Sequence, residues 1–109
     1  MNYHGEIERC LAHLETLTEA IQHQAPAAAQ AEADYKSTVA QVRLRHRATG
    51  DKLTQGTLDD LAQVECEELH LNYLIMAAQL DASRQALRAT QARLDGLRTL
   101  AAGVRAITN

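Results

Sequence analysis

The chain has 109 residues, enough for one domain, with 46% apolar residues but no Phe, no Trp and only three Tyr. An interior drawn mainly from Ala, Leu and Val is thin, and a formal net charge of −3 excludes a protein that is basic as a whole. Cys10 and Cys66 form no CxxC pair, the first residues MNYHGEIERC lack the features of a signal peptide, and no apolar run reaches the ~18 residues of a membrane span. Free thiols, a cytoplasmic location and no membrane contact are therefore expected.

The first predicted helix covers residues 3–24. Ile7, Cys10, Leu11, Leu14, Leu17 and Ile21 recur at three- and four-residue spacing and form one apolar stripe. Pro26, the single proline, is expected to break or sharply kink the chain, because it lacks a donor and disfavours helix in the residue before it.

The second predicted helix covers residues 27–48. Ala28, Ala31, Tyr35, Val39, Val42 and His46 share one face. Lys36, Arg43 and Arg47 share another, roughly a quarter-turn away, and Arg45 points elsewhere. Residues 49–57 read as a polar loop with two glycines, ending in a capping-box variant at Thr57-Leu58-Asp59-Asp60.

A long third helix is expected over residues 58–107. One heptad register places Cys66, Tyr73, Leu80, Leu87, Leu94 and Ala101 at position a, with Ala62, Leu69, Met76, Ser83, Thr90, Leu97 and Val104 at position d. At ~1.5 Å per residue such a helix is roughly 75 Å long, more than a compact domain of this size accommodates. The fold class is thus all-α: three helices with a long C-terminal one, arranged as a hairpin or bundle with a coiled-coil-like seam. The short loop makes the second and third helices antiparallel neighbours. The first helix either folds back as a third bundle member or runs along the second half of the third. Oligomerisation through Leu80, Leu87, Leu94, Leu97 and Val104 is expected to supply the burial that a thin core lacks.

Charge is blocked along the chain. Residues 1–35 hold six acids and one base, residues 36–52 five bases and one acid, and residues 59–68 five acids and no base. Lys36, Arg43, Arg45, Arg47 and Lys52 form the candidate nucleic-acid-binding set, since clustered cations can follow a phosphate backbone. The competing expectation is that these arginines pair across the hairpin with the acidic run at 59–68. With one nearby aromatic, Tyr35, base-specific recognition is not expected. Arg84, Arg88, Arg98 and Arg105 share a face of the third helix and form a second, less concentrated basic strip.

No constellation suggests catalysis. The five histidines are scattered, and the carboxylate pairs Asp59-Asp60 and Glu67-Glu68 diverge by about 100° each on a helix. Cys66 and His70 are four apart, but zinc needs four convergent ligands, so a core role for Cys66 is preferred and no metal or cofactor is expected.

The order basic helix, Gly-containing polar loop, long C-terminal helix resembles small phage recombination mediators of the UvsY type. The similarity covers residues 33–107 and centres on DYKSTVAQVRLRHRATGDK. It implies single-stranded DNA binding, closed oligomers, and contacts with a recombinase or a single-strand-binding protein in the cytoplasm of a phage host. On that resemblance Lys36, Arg43, Arg45, Arg47 and Lys52 would touch DNA. The rival expectation is a coiled-coil scaffold or assembly chaperone whose charged blocks meet only protein.

Overall fold

The computed structural model describes residues 2–49 and 53–108 and is all-α. Three helices follow in chain order: α1 (Tyr3–Ala48), α2 (Gln55–Glu65) and α3 (Glu67–Thr108). Three boundaries differ from the sequence expectation, each for a local physical reason.

Of the break or sharp kink expected at Pro26, the break does not occur, and α1 runs through it for 46 residues. A proline removes its own N–H and leaves the carbonyl four residues earlier, on Gln22, without its helical partner. Pro26 and Gln22 are both exposed, so water can satisfy that carbonyl. Ala25, Ala27, Ala28 and Ala29 surround the proline with strong helix formers, and Ala28 and Ala31 just after it are buried. Packing and propensity together override the local penalty.

The cap is Thr54, not Thr57. Thr54 is extended (φ −71°, ψ 158°) and its side chain accepts a hydrogen bond from the Thr57 N–H at 3.2 Å. The helix therefore starts within the stretch expected to be loop, and Thr57 supplies a donor in the first turn. Gln55 Nε2 donates to Asp59 Oδ1 at 3.0 Å, which ties that turn to the next.

The long C-terminal helix is interrupted at one residue, Cys66, whose backbone (φ −104°, ψ 16°) leaves the helical well. Hydrogen bonding barely lapses: the Cys66 N–H donates to the Ala62 carbonyl at 3.0 Å, and the His70 N–H donates to the Cys66 carbonyl at 2.9 Å. What the residue gains is burial. Its side chain, 1% exposed, packs in one cluster with Val42 and Ala62, flanked by Tyr35 and Val39.

The chain divides into two compact units. One is Gln24–Gln79. In it the second half of α1 lies antiparallel to α2 and the start of α3, as the pairs Arg43–Asp59 and Tyr35–Tyr73 show. Its buried apolar residues are mostly small: Ala28, Ala31, Val42, Ala62 and Cys66, with Leu58 the one large side chain among them. Tyr35 closes one side by stacking on His70, with ring centroids 4.6 Å apart. Leu71, Leu74 and Ile75 remain about half exposed on the other side of α3.

The other unit is Met1–His23 with Leu80–Asn109. Here the start of α1 runs along the second half of α3: Arg93 donates to Glu6 Oε2 at 2.9 Å, and Thr90 Oγ1 lies 3.4 Å from His13 Nδ1. Of the two placements open to the first helical segment, this is the second. Cys10 and Leu94 are buried, and so is Thr90, whose hydroxyl donates to the Ala86 carbonyl at 2.8 Å.

The expected oligomer seam comprises Leu80, Leu87, Leu94, Leu97 and Val104. Leu80 (9% exposed) and Leu94 (5%) are interior residues of the single chain, Leu87 and Leu97 are partly buried in it, and Val104 alone of the five is exposed. A heptad seam has the same sequence pattern whether its partner is a second chain or an earlier part of the same chain. Here α1 supplies the partner helix.

Candidate nucleic-acid interface

The candidate cations sit on the second half of α1, within the unit Gln24–Gln79. Helical geometry separates them before any contact is considered. Positions 36, 43 and 47 fall within about 40° of one another, whereas position 45 is roughly 160° from position 47. Because α2 packs between these directions, the cations lie on two flanks of the hairpin.

On the first flank, Arg43 Nη2 lies 2.8 Å from Asp59 Oδ1, and Arg47 Nη2 donates to Gln55 Oε1 at 3.3 Å. Gln55 and Asp59 are four residues apart on α2, as Arg47 and Arg43 are on α1, so the two antiparallel helices match rung for rung. Lys36 extends this flank and is paired within its own helix, Nζ to Glu32 Oε1 at 2.6 Å. That hydrogen bond, with the charge of Glu32, raises the Lys36 pKa above its ordinary 10.5, so the side chain is cationic at neutral pH.

On the second flank, Arg45 and His46 both reach Glu65 at the end of α2. Arg45 pairs with Oε2, and His46 Nε2 lies 3.1 Å from Oε1. The His46 hydrogen bond, then the charges of Arg45 and His46, hold the Glu65 carboxyl below its ordinary value. His46 belongs to this network although its sequence position placed it on the apolar face with Val39 and Val42. Its pairing was legible only in the acidic run opposite.

The structure thus brings Lys36, Arg43 and Arg47 into one strip, places Arg45 elsewhere, and pairs Arg43 and Arg45 with the acidic run that the competing expectation named. Lys52 lies outside the described residues. Side-chain exposures of 67% for Lys36, 39% for Arg43 and 63% for Arg45 keep these groups within reach of solvent. Exposed pairs of this kind contribute at most about 1 kcal/mol each, so a dense polyanion can compete for them. Arg43 is also incompletely satisfied, since its buried Nε has no partner among the described residues.

Other surfaces are less suited to phosphate. A groove of about 430 Å³ beside the Cys66 interruption is lined by Asp60, Gln63, Val64, Glu67 and His70, and its two carboxylates oppose an anion. Arg84, Arg88 and Arg98 are exposed along α3, but Asp81 and Asp95 lie on the same face. Cys66 is inside the core and His70 stacks on Tyr35, so the four-residue spacing of these two serves packing.

No helix among the described residues is long and apolar enough to cross a membrane. No family model, curated protein or solved structure matches the chain.

Proposed function

We propose that the protein is a non-enzymatic, self-associating helical hairpin that binds single-stranded nucleic acid without sequence preference, through Lys36, Arg43 and Arg47 with Lys52 adjoining. The observation that carries this reading is the strip itself: three long cationic side chains on one flank of α1, whose partners among the described residues are the partly or fully exposed Glu32, Asp59 and Gln55. Positions 43 and 47 are one helical turn apart, about 6 Å of rise, and position 36 lies two turns before 43. Such a ladder follows a backbone and ignores bases. The resemblance to recombination mediators of the UvsY type extends the proposal to a role in loading a recombinase onto single-stranded DNA in a phage host.

Self-association is supported by an exposed apolar face of α3. Leu71, Leu74 and Ile75, larger than most residues inside their unit and half exposed, are the apolar surface a second copy would cover.

A protein-only scaffold is the second reading. It is favoured by one observation: Arg43 and Arg45 already have carboxylate partners across the hairpin. The deciding experiment measures molecular mass and fluorescence anisotropy with a long single-stranded oligonucleotide at two salt concentrations. Binding that falls with salt, with a slope of about −0.7 per phosphate neutralised, supports the nucleic-acid reading. No binding at low salt removes it in favour of the scaffold.

A further inference from the structure

We infer that Asp59 is an internal occupant of a phosphate position on the cationic strip, so that nucleic acid binds by exchanging this carboxylate for a backbone phosphate. The inference rests on the reading of the strip as a nucleic-acid interface and concerns how that interface is regulated.

Asp59 stands at the centre of the strip. Its Oδ1 is 2.8 Å from Arg43 Nη2, the cation between Lys36 and Arg47. Among the described residues no other carboxylate from α2 is paired with this flank, because Arg47 meets the neutral amide of Gln55 instead. A carboxylate and a phosphodiester oxygen make the same charge-assisted contact with a guanidinium. The Asp59 contact is an incomplete version of it. Arg43 meets it through the terminal Nη2, while Nε is left without a partner among the described residues. Asp59 is itself held in place by Gln55, whose Nε2 donates to the same Oδ1 at 3.0 Å. The carboxylate therefore remains anchored to its own helix when Arg43 turns away from it, and the exchange needs only side-chain rotation.

Glu65 has a different part. It lies on the opposite flank, bridges both Arg45 and His46, and fastens the end of α2 to the last turns of α1. Removing its charge loosens the hairpin without clearing the strip. The two acids thus provide a matched comparison: each substitution removes one negative charge from α2, and only one of them uncovers the central cation.

The test compares Asp59→Asn, Glu65→Gln and Asp60→Asn in the full chain, using anisotropy of a long homopolymeric oligodeoxynucleotide at low salt. Asp60→Asn controls for charge alone, since Asp60 neighbours Asp59 in sequence but points about 100° away on the helix. The expected result is an affinity gain of about three- to tenfold for Asp59→Asn, commensurate with the loss of one surface pair and one repulsive charge, and under twofold for the other two. Adding Arg43→Gln to Asp59→Asn should abolish the gain, as a double-mutant cycle requires of a direct coupling. Equal gains in all three variants, or a gain that survives Arg43→Gln, would overturn the inference while leaving the nucleic-acid reading intact. Binding by none of the proteins, wild type included, would overturn that reading and the inference with it.

Discussion

Arg43 on α1 and Asp59 on α2 meet at 2.8 Å, so the central cation of the candidate interface is matched by a carboxylate of the same chain. The pair also sets the hairpin register, since Arg47 and Gln55 follow it one turn further on. One contact therefore serves both folding and the proposed binding, which makes their separation by mutation informative.

Replacing Arg43 and Arg47 by Ala should weaken binding to every single-stranded sequence alike. Each lost phosphate contact should reduce the slope of log affinity against log salt by about 0.7. The measurement is a salt titration of oligonucleotide binding for wild type and the double variant. An unchanged slope would move the interface to the exposed arginines Arg84, Arg88 and Arg98 of α3.

Leu94, 5% exposed within the single chain, tests whether the C-terminal seam is intramolecular. Leu94→Ala should cost about 2–5 kcal/mol, the usual range for a buried leucine. Because its partner helix belongs to the same chain, the loss in Tm should be the same at every protein concentration. A loss that shrinks as concentration rises would assign Leu94 to an intersubunit contact.

Self-association should depend on the half-exposed face of α3. Leu71→Lys with Ile75→Lys places two charges on that surface without touching the buried cluster of Val42, Ala62 and Cys66. Light scattering should show a lower mass, with helical content by circular dichroism retained. An unchanged mass would show that assembly uses another surface.

Gly96 lies within α3, and a Cβ built there meets nothing within 4 Å. Gly96→Ala should therefore stabilise the protein by about 0.5–1 kcal/mol, the propensity difference alone. Chemical denaturation of the two proteins gives the comparison, and a loss of stability would mean that the position is covered in the assembled state.

The His46–Glu65–Arg45 network predicts a dependence on acid. Glu65 titrates below its ordinary 4.5 in the folded chain, chiefly through the His46 hydrogen bond. A depressed carboxyl contributes stability that is complete above its unfolded pKa and is lost as pH falls through the folded one. Glu6 has the same sign, with the Arg9 hydrogen bond as its main cause and Arg93 adding to it. Thermal melts between pH 6 and pH 3 should show a decline beginning near pH 4.5, and Glu65→Gln should make it shallower. An identical pH profile in the variant would remove Glu65 from the account.

The sequence by itself determined the helical class, the apolar periodicity, the blocks of charge and the placement of Cys66 on a seam. Each of these follows from residue type and spacing along one helix, and helical geometry converts spacing directly into faces. Tertiary structure decided the remainder. Pro26 stays inside α1 because solvent and a run of alanines compensate for its missing donor, a balance set by burial at Ala28 and Ala31. The helix start moved to Thr54 because two threonines competed for one cap, and the backbone of Thr54 is the one left extended. Leu80 and Leu94 turned inward because a heptad carries no label for the chain its partner comes from. The division of the cations into a Lys36–Arg43–Arg47 strip and an Arg45–His46 clasp depends on which carboxylates α2 presents to each flank. That arrangement arises only when two helices separated by a loop are brought side by side.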